Sequence, residues 1–115
     1  MRKTKSEILE GVNLEEIKKS KLVDTNTLEI EYQNGDRAIR LHNTNIITIK
    51  ENGDVILTSG GWRTLTTKDR INKYIPLNLH LRQDNFNWLL KNSHREVVFF
   101  DNITFDNTGK VKNAE

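Results

Sequence analysis

An α+β fold, mainly an antiparallel β-sheet built from hairpins, follows from three features of this 115-residue chain. Two runs of alternating apolar residues, 28–41 and 46–58, are each centred on Asn-Gly, a strong hairpin signal. A third alternation, over 77–90, follows the chain's single proline, Pro76. Helix-start signatures stand outside these runs, at Thr4 and at Thr66 or Thr67. The length suits a single domain over 1–115, with a modest core. Within it we expect a helical N-terminal segment over 1–23, a sheet with one short central helix over 24–106, and a frayed polar tail over 107–115.

Each element has a local reason. Thr4 and Glu7 have capping-box spacing, and Asn13 and Glu16 repeat it, flanked by Val12 and Ile17 at hydrophobic-staple spacing. Gly11 between them predicts two short helical pieces rather than one rod. Ile8, Leu9, Val12, Leu14 and Ile17 are too few to fold alone, so this segment should dock on the domain or on a partner subunit. A two-residue turn at Asn34-Gly35 would pair Leu28 with Leu41 and Ile30 with Ile39, all on one face. A like turn at Asn52-Gly53 would set Ile49 opposite Ile56 and Thr48 opposite Leu57, with apolar side chains on both faces of a covered strand pair.

Ser59-Gly60-Gly61 must then turn the chain, and a short helix beginning at Thr66 or Thr67 should carry Asp69 in its first turn. Ile71, Tyr74 and Ile75 are available for burial before Pro76 stops it. Leu77, Leu79 and Leu81 alternate, Asp84-Asn85 turns, and Trp88 and Leu90 return on the matching face. Val97-Val98-Phe99-Phe100, Ile103 and Phe105 form the last apolar runs, before a turn at Asp106-Asn107-Thr108-Gly109. The sum is about six or seven strands in a mainly antiparallel sheet.

Composition excludes several chemistries. With no cysteine there is no disulfide and no thiolate nucleophile or ligand. A net charge of +2 is too weak for a dedicated nucleic-acid binder, so no stable nucleic-acid partner is expected. No run reaches the length of a membrane span, and the charged start, Arg2 to Ser6, lacks the apolar stretch of a secretory signal. We expect work in a cytoplasm. A hydrophobic fraction of 35% is low for a globular domain and favours a homo-oligomer. His42, His80 and His94 lack metal-site spacing with one another, so neither metal nor cofactor is expected. Ser59 lacks a nucleophile elbow and ordered partners, and Gly60-Gly61 continues into no phosphate loop.

The chemistry concentrates in Ser59 to Asn72. Gly60 and Gly61 let backbone N–H groups approach a ligand, and Trp62 offers a stacking face. Arg63, Lys68 and Arg70 bring charge for a phosphate fork, while Thr64, Thr66 and Thr67 bring hydroxyls and a helix N-terminus that attracts anions. The bland alternative is a core tryptophan with solvated cations. His42, Asn43 and Thr44 supply further hydrogen-bonding groups, or else Asn43-Thr44-Asn45 is simply a turn. Phe86, beside its turn, is a second stacking candidate, whereas Trp88 matches the leucine face and reads as core. His80 lies in an alternating strand and should face solvent.

Leu41-His42-Asn43-Thr44-Asn45-Ile46, Ser59-Gly60-Gly61-Trp62-Arg63-Thr64, Thr66-Thr67-Lys68-Asp69-Arg70-Ile71-Asn72 and Phe100-Asp101-Asn102-Ile103 together resemble a family of small phage-encoded proteins. The resemblance spans about residues 38–106 and is to the first type of anti-Thoeris protein, a sponge for cyclic ADP-ribose isomers made by bacterial TIR-domain immune enzymes. It implies a homo-oligomer in the host cytoplasm that binds a cyclic nucleotide signal without degrading it, with some members also holding cyclic oligonucleotides. Asn102 departs from that family's run, which favours glycine there and puts the final turn in question. Ligand contacts are not carried over position by position, so the candidate site rests on the motif residues themselves. Rival readings are a protein–protein inhibitor of a host enzyme, a single-stranded nucleic-acid binder, and, least favoured, an enzyme degrading the same signal.

Overall fold

The structure, a computed structural model, describes residues 2–92 and 95–113. His94 and the end of the polar tail lie outside the described residues. A short helix, α1 (Lys5–Ile8), opens the chain, with Thr4 and Glu7 closing the capping box reciprocally. Gly11, at φ +81°, breaks the segment as expected. A 3-10 turn, Leu14–Glu16, follows, but Asn13 caps it through the Glu15 N–H at 3.1 Å rather than through Glu16. The helical expectation for 17–23 is corrected: Ile17–Asp24 is a strand, β1. Its pairing with the next strand supplies backbone bonds that local helix signals do not weigh.

Antiparallel neighbours build a six-stranded sheet in the order β1-β2-β3-β4-β5-β9. Its further strands are β2 (Thr27–Tyr32), β3 (Arg37–Leu41), β4 (Thr44–Ile49), β5 (Val55–Leu57) and, late in the chain, β9 (Ile103–Phe105). Both Asn-Gly hairpins form, with registers displaced by one residue from the expected ones. Leu28 pairs with Arg40 and Ile30 with Ala38; Ile49 pairs with Val55 and Thr48 with Ile56. The loops are Gln33-Asn34-Gly35 and Glu51-Asn52-Gly53, closed by Tyr32 N–H to Asp36 O at 2.9 Å and Lys50 N–H to Asp54 O at 2.8 Å. A three-residue loop ending in a glycine at φ above +90° is the bulged hairpin, and its extra residue exchanges the faces of the returning strand.

That exchange divides the core. Leu28, Ile30 and Ala38 share one face, where Ile8 and Leu9 cover them and Val12, Ile17 and Tyr32 pack at the edge. Arg40 ties the cover down by donating to the Ile8 carbonyl at 2.9 Å and to Asn45 Oδ1 at 3.1 Å. Docking of the N-terminal segment on the domain thus holds, although Leu14 stays exposed. Ile39 and Leu41 face the other way, into the main core with Ile47, Val55, Leu57, Ile103 and Phe105. Ile56 and Thr48 are half-buried on the face behind, so the second strand pair is fully covered on one side alone.

Over the main core lie α2 (Leu65–Tyr74) and a second sheet of β6 (His80–Asp84), β7 (Asn87–Lys91) and β8 (Glu96–Val98). Among the described residues the strands therefore form two antiparallel sheets, not one of six or seven strands. Ile71 is fully buried, Tyr74 and Ile75 pack beside it, and the helix ends before Pro76. In the β6–β7 hairpin Asn85-Phe86 turns instead of Asp84-Asn85. Moving the turn's centre by one residue shifts the pairing by two, so Leu81, Trp88 and Leu90 still reach the core together. His80 is exposed, as expected. Beyond the turn at 106–109, Val111 bridges Phe105 and the Lys112 N–H reaches Thr104 O at 2.8 Å, so the described tail is paired to the sheet edge rather than frayed. Among the described residues no helix is long and apolar enough to cross a membrane.

Candidate functional site

At one end of the larger sheet, the β3–β4 turn faces the loop that leads from β5 into α2. The turn is His42-Asn43, since Leu41 pairs with Thr44, and Thr44 and Asn45 already belong to β4. His42 takes φ +53°, and its N–H bonds Asn26 O at 2.9 Å. A bulge in β4 then places Ile46 beside Ile47, both buried, so that Leu41 and Ile46 form an apolar floor.

Opposite, Ser59 is fixed by Asp101. Its N–H and its hydroxyl both donate to one carboxylate oxygen, at 2.8 and 2.7 Å. Burial would push Asp101 up, but the Ser59 bonds, the Arg63 charge and the Thr58 hydroxyl outweigh it and hold the carboxyl below its ordinary range. Gly60 passes so close to Thr44 that a Cβ there would lie 2.6 Å from its Oγ1. Trp62 emerges 70% exposed. Thr64, rather than Thr66 or Thr67, caps α2, accepting from the Thr67 N–H at 3.2 Å. The helix therefore starts earlier than expected, and Asp69 falls beyond its first turn.

Between these walls is a cleft of about 490 Å³, lined by Leu41, His42, Asn43, Thr44, Ile46, Ser59, Trp62, Thr64, Thr66 and Thr67. The fold thus brings together seven of the expected residues, His42, Asn43, Thr44, Trp62, Thr64, Thr66 and Thr67, from segments about 20 positions apart. Thr67 is buried, with its hydroxyl 3.1 Å from that of Thr64. Burial and, secondarily, the Lys3 charge lower the His42 pKa, which favours the neutral imidazole.

The expected cations are not in the lining. Arg63 lies over the rings of Phe99 and Trp88, at 5.2 and 5.7 Å. Arg70 is largely buried, bonding Thr27 Oγ1 at 3.1 Å and pairing with Asp69 and Asp24. Lys68 reaches Gln83 Oε1 at 3.5 Å. The expected backbone donors are also engaged: Gly60 N–H with Thr58 Oγ1, Gly61 N–H with Ser59 Oγ, and Trp62 N–H with Ser59 O. The two glycines serve the loop's own geometry, both at positive φ. Phe86 is 93% exposed on the β6–β7 turn, outside the lining, and Trp88 is core.

Sequence reasoning missed Leu41, Ile46 and Ser59 as lining, and Asp101 as the anchor behind them. The first two flank the His42-Asn43 turn, a usable signal. Asp101 is 42 residues from Ser59, and no local pattern links them. Asn102 adopts φ +69°, a left-handed conformation that asparagine tolerates almost as glycine does, so the final turn forms with this residue.

A family model described as Kyanoviridae Gp96 protein matches residues 1–112, so the match extends over the N-terminal segment as well as the run from 38 to 106. No curated protein matches the chain, and no solved structure matches it.

Proposed function

We propose, from the premise that this chain belongs to the Kyanoviridae Gp96 protein family and is a phage protein, that it binds and sequesters a cyclic nucleotide immune signal. The proposed ligand is a cyclic ADP-ribose isomer, with cyclic oligonucleotides as further candidates. The proposed setting is the host cytoplasm, as a homo-oligomer, in the manner of the anti-Thoeris proteins that the motif residues resemble. The observation that carries the reading is the cleft itself. It sets an exposed indole, an imidazole, an amide and four threonine hydroxyls around one space of nucleotide size.

Sequestration needs affinity near the signal's concentration; nanomolar binding corresponds to about −12 kcal/mol. The Ser59–Asp101 bonds hold one wall in place before any ligand arrives, which limits the ordering cost that opposes binding. Retention without turnover is part of the proposal.

Thermal shift of the full chain with cyclic ADP-ribose isomers, cyclic di- and trinucleotides, linear nucleotides and a short DNA oligomer tests it. Ligand at about 1,000 times its dissociation constant stabilises by about 4 kcal/mol. The expected result is a large shift with one cyclic nucleotide, recovered chemically intact after denaturing the complex. A flat panel overturns the proposal. A second reading, inhibition of a host protein, is favoured by the exposure of Trp62 and Leu65, at 70% and 76%, since exposed aromatic and apolar side chains are interface anchors. Stoichiometric co-purification of one host protein together with a flat panel would select it.

A further inference from the structure

We infer that the cleft takes the uncharged part of its ligand, a nucleobase with its ribose, and leaves any phosphate at the rim. The inference rests on the proposed function and names which chemistry the site reads.

Among the lining residues there is no lysine, arginine, aspartate or glutamate. Of the nearby cations, Arg63 lies over two aromatic rings, Arg70 bonds Asp24, Asp69 and Thr27, Lys73 pairs with Asp24, and Lys68, outside the lining, reaches Gln83. The N–H groups of Gly60, Gly61 and Trp62, which could have cradled a phosphate, are satisfied within the loop. His42 is biased toward its neutral form, in which the ring offers one donor and one acceptor rather than a charge. A diphosphate inside this space would exchange its water for neutral side chains and the N-terminus of α2, with no counter-ion, which is costly.

What the lining does offer suits a flat heteroaromatic ring. Trp62 presents a stacking face, Leu41 and Ile46 give an apolar floor, and Asn43, His42 and the threonines can bond base edges and ribose hydroxyls. Lys3 bears electrostatically on His42, which places one positive charge on that side of the cleft.

Calorimetric titration of the full chain with adenosine, guanosine, uridine, ADP and cyclic ADP-ribose, at about 50 and about 500 mM salt, tests this. We expect one nucleoside to bind within about tenfold of its phosphorylated counterpart, with affinity changing less than about threefold between the two salts. Trp62→Ala should weaken nucleoside and cyclic nucleotide alike by at least about tenfold, with Trp62→Phe retaining most of the binding. Cyclic ADP-ribose or ADP binding without any nucleoside binding overturns this inference and leaves the proposed function standing. Nucleoside binding with no binding of cyclic ADP-ribose or of the cyclic di- and trinucleotides overturns the proposed function and supports the base-and-ribose reading of the cleft. A chain that binds none of the probes overturns this inference, and if the cyclic di- and trinucleotides also fail to bind, the proposed function falls with it.

Discussion

Ser59 gives Asp101 two hydrogen bonds to the same carboxylate oxygen, one from its backbone at 2.8 Å and one from its hydroxyl at 2.7 Å. The pair ties the end of β5 to the turn before β9 and so fixes the loop from which Trp62 projects into the cleft. Ser59 is 2% exposed, while Asp101 stands at the surface and reaches inward to it.

Asp101→Ala should therefore cost about 0.5–1.5 kcal/mol, the net worth of hydrogen bonds whose acceptor water can partly replace at this exposed position. Urea denaturation measures it, and Asp101→Asn, which keeps an acceptor oxygen, should cost less. Equal losses would show that the charge, not the acceptor, is what matters.

Acid should unfold the protein through its lowered carboxyls. Asp101 is held down by the Ser59 bonds acting against burial, Asp36 chiefly by its hydrogen bond from Lys50, and Asp24 chiefly by that from Lys73. Each folded pKa is depressed, so its stabilisation is complete above the unfolded value of about 3.9 and is lost as pH falls through the folded one. The melting temperature measured against pH should stay level with respect to these groups down to about pH 5 and drop below about pH 4. Asp36→Asn should make that drop shallower.

Gly60 and Gly61 look alike in sequence and should respond differently. Both take positive φ, but a Cβ at Gly60 would strike Thr44 while one at Gly61 meets nothing within 4 Å. Gly61→Ala should cost about 1 kcal/mol for the left-handed backbone alone, and Gly60→Ala clearly more. Paired denaturation curves decide it; equal costs would remove the Gly60–Thr44 contact as a determinant of the cleft.

Trp62 and Arg63 should separate binding from stability. Trp62→Ala, at an exposed position, should leave the free protein's midpoint nearly unchanged and clearly reduce the thermal shift by ligand. Arg63→Ala should lower stability by about 0.5–2 kcal/mol through loss of its place over Phe99 and Trp88. A solvated, phosphate-binding Arg63, as its sequence context suggests, would instead leave the fold unchanged when removed.

The N-terminal segment should stabilise the sheet it covers. Ile8→Ala, at a fully buried position, should cost about 2–5 kcal/mol. Fluorescence-monitored unfolding checks it, and a cost below about 1 kcal/mol would mean the segment docks too weakly to matter.

Much of the fold was legible because its signals are local. Asn34-Gly35 and Asn52-Gly53 marked turns, alternation marked strands, Thr4 with Glu7 marked a helix start, and Pro76 marked a helix end. The site was half legible: turn residues and threonines flagged the His42 to Thr44 segment and the Trp62 to Thr67 segment, without showing that the two face each other. Loop length was not legible. Asn-Gly is compatible with a two-residue turn or with the last positions of a three-residue loop, and the choice reverses which face Ile39 and Leu41 occupy.

By itself, then, the sequence determined the α+β class, most element positions and seven of the residues that line the cleft. Tertiary structure alone decided the registers, the two-sheet arrangement and the destination of each cation. Arg70 finds Thr27 at a separation of 43 residues, and Arg63, at the surface, finds the Trp88 and Phe99 rings. A charge goes where its best partner lies in space, and no periodicity in the chain records that distance.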